Sequence, residues 1–230
     1  MAYNNFCTRR EADAIIQAGR VTINGRTAVL GDKVLAEDQV VIQKNNRQKK
    51  AVYLAYNKPQ GIVTHSPQKG EKSIEEVLRY PERVFPVGRL DKDSHGLIIL
   101  TNDGRVVEAL LQPGHDHEKE YVVRVDRKIT PGFIDNLSRG VTLDDGYLTK
   151  EAQVEKMDDF TFRIILTEGK KRQIRRMCEK LERRVLDLKR ERIMQIGLGD
   201  LKNGEWRKIE GAELMGWLTE LGIKREGIFA

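Results

Sequence analysis

The stretch that decides the fold is residues 85–101, FPVGRLDKDSHGLIILT. Its second half is an apolar run of strand length that ends at the turn sequence Asn102-Asp103-Gly104. An apolar run bounded by turn residues is typical of a strand buried inside a sheet. Its first half holds a carboxylate, Asp91, between two glycines and among basic side chains. The glycines allow a tight chain path around that carboxylate.

Outside this stretch, short strand patterns and helical patterns are mixed along the rest of the chain. Strand-like segments are residues 51–56, 120–126, 149–157, 160–167 and 184–196, and helical ones are 73–78, 107–111, 171–181 and 212–221. Adjacent strands joined by short turns favour antiparallel pairing. The sequence therefore predicts an α+β domain over residues 51–230, with a mixed, mainly antiparallel sheet and helices packed on it.

A smaller unit precedes this domain. Residues 12–19 have helical spacing, and Asn24-Gly25, a strong hairpin signal, lies between two short strand patterns. Residues 43–50 are polar and basic without an apolar residue, a composition typical of a linker. We predict a small α/β unit over residues 1–43, a linker over 44–50 and the large domain after it.

Composition excludes several classes of protein. The chain has 230 residues, of which 39% are hydrophobic, and no apolar run approaches the ~18 residues that cross a membrane. Cys7 and Cys178 are too few for a disulfide framework or a zinc knuckle. Residues 115–117, His-Asp-His, lack a closed set of metal ligands. We expect a soluble, cytosolic protein without a metal.

The net charge of +6 is concentrated in two places. Residues 163–192 hold 12 basic and five acidic residues, a net +7, and residues 1–50 hold nine basic and five acidic, a net +4. A solvated helix face is one explanation for such a cluster. The other is a surface that binds a polyanion such as RNA or DNA.

The candidate reactive group is Asp91. Arg89, Lys92 and His95 surround it in the sequence, and positive neighbours favour an ionised carboxylate. Such a carboxylate suits a nucleophile or a general base. A charged turn without catalytic function is the alternative, and Asp93 competes with Asp91 on chemistry alone.

The segment Gly88-Arg89-Leu90-Asp91 resembles the catalytic motif of RNA pseudouridine synthases, and more narrowly that of the RsuA/RluF-type enzymes of bacterial ribosomal RNA. Three further stretches resemble motifs of that family in the expected order: residues 57–61 (NKPQG), 118–121 (EKEY) and 172–177 (RQIRRM). Residues 9–13 with the Asn24-Gly25 turn resemble an S4-type RNA-binding module. Such modules usually begin with another helix, and we expect that first helix to be missing here.

The resemblance implies roles for individual residues. Asp91 is the essential carboxylate, Arg175 pairs with it, and Tyr121 stacks on a uracil flipped out of the RNA helix. Arg89 fills the space that the base leaves or binds a phosphate. The remaining RNA-binding candidates are Lys170, Lys171, Arg172 and Arg176 in the basic window and Arg9 and Arg10 in the N-terminal module. Isomerisation of uridine needs no cofactor.

The resemblance implies site-specific conversion of uridine to pseudouridine in ribosomal RNA. Residues 116–121, 192–194 and 204–207 are RluF-like and favour a stem-loop of the large-subunit (23S) RNA. The same chemistry on small-subunit or transfer RNA is one alternative. A non-catalytic RNA-binding or ribosome-assembly protein is another, although such a protein has no need for the Asp91, Tyr121 and Arg175 trio. We expect a cytoplasmic monomer whose partner is RNA, with no membrane association.

Overall fold

The computed structural model describes residues 9–43, 50–112 and 116–223, with side chains from residue 12 onwards in the first range. The chain divides into two compact units, and it passes from the first to the second between Ala51 and Val52. Nearly all of the predicted linker lies outside the described residues, which resume at Lys50.

Helices and strands are mixed along the described chain, as the sequence patterns predict. The helices are α1 (Arg9–Gln17), α2 (Ile74–Val77), α3 (Gly104–Leu111), α4 (Pro131–Arg139), α5 (Gln173–Lys180) and α6 (Gly211–Glu220). The strands are β1 (Val21–Ile23), β2 (Arg26–Thr27), β3 (Val40–Ile42), β4 (Tyr53–Lys58), β5 (Phe85–Val87), β6 (His95–Thr101), β7 (Lys119–Val125), β8 (Gln153–Lys156), β9 (Thr161–Leu166), β10 (Val185–Ile193), β11 (Ile196–Gly197) and β12 (Trp206–Lys208).

The described part of the N-terminal unit contains α1 and an antiparallel sheet of order β2-β1-β3. Asn24 and Gly25 form the hairpin turn between β1 and β2 and both have positive φ, 49° and 83°. That conformation matches the twist of the paired strands. Ala12, Val21 and Ala28 are its buried apolar residues among those described, so the core of this unit is small.

The larger unit contains one nine-stranded sheet within the described chain. Seven strands follow the order β12-β4-β6-β10-β7-β9-β8, while β5 pairs with β6 and β11 with β10. These pairings are antiparallel except that of β6 with β10, which is parallel. The predicted class, α+β with a mixed and mainly antiparallel sheet, is confirmed.

One face of this sheet carries the main core. Leu54, Ile98, Val123 and Phe162 project from four of its strands and are completely buried. Phe133 of α4 meets Phe162 edge-on, with ring centroids 5.6 Å apart, an arrangement that aromatic rings favour. Helix α4 therefore covers this face.

Helix α5 joins the same core through Ile174, Met177 and Cys178, which follow the i, i+3, i+4 spacing of a buried helix face. Alternate residues of a strand point to opposite faces, and Tyr53 therefore lies on the other side of the sheet from Leu54. There its ring meets Trp217 of α6 edge-on at 6.3 Å. The sheet is thus covered on both faces, and α5 places its N-terminus on the core side.

Candidate active site

Four neighbouring strands bring a row of residues side by side at one end of the sheet. Lys58 of β4 is in register with Gly96 of β6, Gly96 with Arg190 of β10, and Arg190 with Tyr121 of β7. Registered partners share a face of the sheet, and Tyr121 belongs to the core face. The loop that carries Asp91 runs directly into β6, so it reaches the sheet at this row.

The contact between β6 and β10 in this row depends on a glycine. Gly96 has φ +100°, and a Cβ atom built on it would lie 2.3 Å from the backbone oxygen of Arg190. Real Cβ atoms do not approach a backbone oxygen so closely, and only glycine adopts this φ readily. Gly96 therefore allows the close parallel approach that brings the Asp91 loop beside β10.

Hydrogen bonds from the segment after β4 hold the Asp91 loop. The hydroxyl of buried Thr64 donates to the backbone oxygen of Leu90 at 2.6 Å and accepts from the Leu90 N–H at 3.0 Å. On the other side of Asp91, the Gly61 N–H donates to the oxygen of Lys92 at 2.7 Å. The backbone is thus fixed directly before and after the candidate carboxylate, which is the preorganisation that a catalytic group needs.

Arg172 lies between the two aspartates of the loop. It has φ +53° in the left-handed region, at the residue before α5, a conformation that costs a non-glycine residue energy and is common at functional sites. Its Nη1 lies 3.2 Å from Oδ1 of Asp93 and 3.9 Å from Oδ2 of Asp91. Partial burial raises the pKa of Asp93, but the hydrogen bonds from Arg172 and the charges of Arg175 and Arg172 outweigh it and lower that pKa.

Arg175 contacts Asp93, whereas the resemblance implies that it pairs with Asp91. Its side chain is 8% exposed, and its Nε lies 3.3 Å from Oδ2 of Asp93. Its Nη2 donates to the Asp93 backbone oxygen at 3.0 Å and to Ser94 Oγ at 3.2 Å. The guanidinium is turned to the end of the loop because these acceptors lie there, so the arginine nearest to Asp91 in this structure is Arg172.

Lys58 is a site residue that the sequence analysis leaves without a role. It is completely buried, and its Nζ donates to the backbone oxygens of Pro59 at 3.0 Å and Ile62 at 2.6 Å. Burial lowers the pKa of Lys58 to about 8, although the negative charges of Asp91 and Asp93 oppose this shift. The lysine of the NKPQG motif is therefore a buried cation whose field acts on both aspartates.

Tyr121 is nearly buried, with 9% of its surface exposed, and belongs to the main core cluster. Its neighbours in register are Arg190 on β10 and Ile164 on β9. The strand register thus brings its ring to the row that the Asp91 loop joins. The predicted stacking on uracil remains a prediction.

The predicted RNA-binding cations differ in how the structure holds them. Arg89 and Lys171 are exposed, and neither forms a hydrogen bond or ion pair with another described residue. Lys170 is exposed too, with its Nζ 4.2 Å from the centre of the Tyr147 ring. The side chains of Arg9 and Arg10 lie outside the described residues.

Arg176 is paired with two carboxylates, unlike Arg89 and Lys171. Its side chain is 20% exposed, its Nε donates to Oδ1 of Asp144 at 2.7 Å, and its Nη2 lies 2.8 Å from Oδ2 of Asp145. Two carboxylates therefore neutralise a residue that the sequence analysis assigns to the RNA backbone. The assignment to RNA stays a prediction. Sequence alone gives no sign of this pairing, because Asp144 lies 32 residues away in the chain.

Residues 52–180 match the family model described as RNA pseudouridylate synthase. The chain belongs to the RNA pseudouridine synthase family. Residues 3–40 of the synthase match the S4 domain model. The predicted family, its S4 module and an enzyme that makes pseudouridine in RNA are thereby confirmed.

Known proteins similar to the synthase include the dual-specificity RNA pseudouridine synthase RluF of Salmonella typhi, 44% identical over 92% of this chain and 74% of that protein. Another is the ribosomal large subunit pseudouridine synthase B of Bacillus subtilis, 32% identical over 93% and 91% of the two chains. A crystal structure of a pseudouridylate synthase superimposes with a TM-score of 0.70 at 28% identity and covers 96% of each chain.

The structure also adds contacts that the sequence reasoning missed. In the synthase, Nε2 of His95 lies 2.9 Å from Oδ1 of Asp187, although the sequence suggests no partner for this histidine. Arg190 reaches the core face although the sequence places it only within a basic window.

In the described ranges, no three His, Cys, Asp or Glu residues are grouped to hold a metal ion. No helix within these ranges is long and apolar enough to cross a membrane.

Proposed function

We propose that this synthase isomerises a specific uridine in a stem-loop of large-subunit ribosomal RNA, and that Asp91 is its essential carboxylate. The observation that supports this best is the setting of Asp91. It stands in a loop fixed on both sides by hydrogen bonds, with Arg172 3.9 Å away and the buried Lys58 close enough to feel its charge. The names of the relatives, RluF and a large-subunit synthase, support the choice of RNA.

The reaction breaks the N1–C1′ bond of uridine, turns the base and joins C5 to C1′. Asp91 acts at the sugar, either as the nucleophile that bonds to C1′ or as a base. Tyr121 stacks on the flipped-out uracil, since its ring lies in the row beside the Asp91 loop and base–aromatic stacking favours an extruded base. Arg175 supports the site by holding the end of the loop through Asp93 and Ser94.

RNA binding rests on the exposed cations near this site and on the N-terminal module. Lys170, Lys171 and Arg89 supply phosphate contacts, because they are exposed and not neutralised by a described carboxylate. We assign residues 1–43 to an S4-like module that adds contacts through Arg9 and Arg10, residues 44–50 to a linker and 51–230 to the catalytic domain. The synthase acts as a monomer in the cytoplasm.

A second RNA substrate is the alternative target. The RluF relatives carry the name dual-specificity, which favours activity on more than one RNA, and transfer RNA or small-subunit RNA then joins the large-subunit target. The catalytic residues are the same in either case.

Mapping pseudouridines in total ribosomal and transfer RNA tests both the target and Asp91. The strains are one with the gene, one without it, and the deletion strain complemented with wild type or with Asp91→Asn. We expect one large-subunit position to lose its pseudouridine in the deletion and to regain it only with wild type. Loss at a transfer RNA position instead would replace the target, and rescue by Asp91→Asn would overturn the role of that carboxylate.

A further inference from the structure

Arg190 is a buried cation with too few hydrogen bonds. It lies on β10 with 4% of its surface exposed. Its Nε donates to the backbone oxygen of Leu97 at 2.7 Å. No described residue accepts from its terminal nitrogens, and Nη2 is completely enclosed without a partner. A guanidinium has five N–H donors, so most of its hydrogen-bonding capacity is unused.

Two lysines share this environment and make it more positive. The first is Lys58, enclosed and bound only to backbone oxygens. The second is Lys119 of β7, whose Nζ donates to the backbone oxygen of His117 at 2.8 Å. Burial is the largest cause of the lowered pKa of each lysine, and the charge of Arg190 lowers both pKa values further. Arg190 is therefore close enough to repel each of the two lysines.

A cluster of cations of this kind destabilises the folded protein unless an anion joins it. A buried charge without a counter-ion costs free energy, and among the described residues no carboxylate hydrogen-bonds to Lys58, Lys119 or Arg190. Lowered lysine pKa values such as those of Lys58 and Lys119 are common at functional sites. Asp91 and Asp93 act on Lys58, and Asp116 acts on Lys119. Arg190 is the cation of the three that has no described carboxylate within ion-pair distance, so its charge calls for an anion.

The position of Arg190 shows where that anion would be. Arg190 lies between Gly96 and Tyr121 in the row across the sheet. On one side is the strand that the Asp91 loop enters, and on the other is the tyrosine assigned to the base. A nucleotide seated on Tyr121 therefore has Arg190 as its neighbour on the next strand.

We propose that Arg190 is a substrate-binding residue whose terminal N–H groups donate to a negatively charged oxygen of the RNA. The inference rests on the proposed seating of the target uridine at Asp91 and Tyr121. Two oxygens have the required chemistry. One belongs to a phosphate beside the target nucleotide. The other belongs to the uracil ring after cleavage.

The electron balance of the reaction explains why an oxygen of the uracil ring becomes negatively charged. When the N1–C1′ bond breaks with its electron pair on the base, the uracil becomes an anion whose charge is shared by N1, O2 and O4. The later C5–C1′ bond uses that pair, and C5 loses its proton while N1 gains one. A cation at O2 or O4 stabilises the anion and so lowers the barrier to cleavage.

The test compares Arg190→Met and Arg190→Lys with a control on the same strand, Arg192→Met. Arg192 pairs with Glu118 and Glu120 at 3.0 and 2.8 Å and has no proposed role in the site. Each variant is measured for thermal stability, for RNA affinity as a function of salt, and for single-turnover isomerisation. The RNA is a fragment that the wild type isomerises.

Arg190→Met should retain or gain thermal stability, because it removes an enclosed charge without a partner. If the oxygen belongs to uracil, isomerisation should slow at least tenfold while affinity stays within twofold. If it belongs to phosphate, affinity should fall at least tenfold and its salt dependence should decrease by about one unit of slope. Arg190→Lys should restore part of either loss, and Arg192→Met should lower stability with the rate retained.

Two results would overturn the proposal. The first is an Arg190→Met protein with both rate and affinity within twofold of wild type. The second is one that unfolds or loses stability and activity together, since that indicates a structural role. Asp91→Asn is assayed in parallel. If it is inactive while Arg190→Met is fully active, only the Arg190 inference fails; if both variants are active, the Asp91 assignment fails.

Discussion

Replacing Lys58 by methionine should reveal the cost of its buried charge as a pH-dependent change in stability. The pKa of Lys58 in the folded protein is about 8, against a usual value of 10.5, because burial disfavours the ammonium. Below pH 8 the lysine is protonated in both states, and folding carries the full cost of burying the charge. A shift of that size corresponds to about 3 kcal/mol.

The sign follows from proton binding. Between pH 8 and 10.5 the unfolded chain binds more protons at Lys58 than the folded chain, so this lysine makes the wild type more stable as the pH rises. The free-energy difference between Lys58→Met and wild type should therefore move in favour of wild type by about 2 kcal/mol between pH 7 and pH 9.5. The two hydrogen bonds lost in the variant add an offset that does not depend on this titration.

Urea unfolding of both proteins at several pH values between 7 and 9.5 measures this difference directly. Lys202→Met, which removes an exposed lysine, separates the effect of burial from that of losing a positive charge. The free-energy difference between Lys58→Met and wild type is expected to change with pH. If it is constant over this range, or moves in favour of the variant as the pH rises, then burial does not lower the pKa of Lys58 as described.

Three further predictions concern the loop and the RNA surface. Gly96→Ala should destabilise the protein by roughly 3–5 kcal/mol in urea unfolding, since its Cβ would meet backbone at 2.3 Å. The control Gly132→Ala, in open space on a helix, should not destabilise it. Equal effects of the two variants would contradict the close approach of β6 and β10 at Gly96. Asp93→Asn should slow single-turnover isomerisation about tenfold without weakening RNA affinity, because it removes the carboxylate charge that holds Arg172 and Arg175. An unchanged rate would show that Asp93 does not position these arginines for the reaction. Lys171→Ala should reduce the salt dependence of RNA binding by about one unit of slope and Arg176→Ala should not, so equal slopes for the two variants would contradict the different roles of these cations.

The fold class could be predicted because its signals are local. The apolar run predicts β6, alternating spacing predicts β7 and helical spacing predicts α5 nearly where they occur, and Asn24-Gly25 predicts the hairpin. The spacing patterns predict no helix at α4, although Thr130, which caps it, and Pro131, its first residue, are start signals. The parallel pairing of β6 with β10 has no local signal, because it joins strands that are far apart in sequence.

The candidate site likewise has a part that the sequence predicts and a part that depends on the tertiary fold. The sequence predicts Asp91 as the reactive group because its motif is contiguous, and its neighbours in the loop follow from chain connectivity. The partners of Arg175 and Arg176 depend on which acceptors the tertiary fold brings within reach, and the structure gives them Asp93 and Asp144 instead of the expected groups. The burial of Arg190 likewise follows from the place of β10 in the middle of the sheet, which a count of charges does not show.

In the proposed mechanism, Asp91 performs the chemistry while Asp93 positions Arg172 and Arg175. Single-turnover tritium release from RNA labelled at C5 of uracil tests it most directly, because C5 loses its hydrogen when it bonds to C1′. With Asp91→Asn we expect no release above background and RNA affinity within twofold of wild type, whereas Asp93→Asn should release tritium slowly but to completion. Release by Asp91→Asn at a rate near that of wild type would contradict the account.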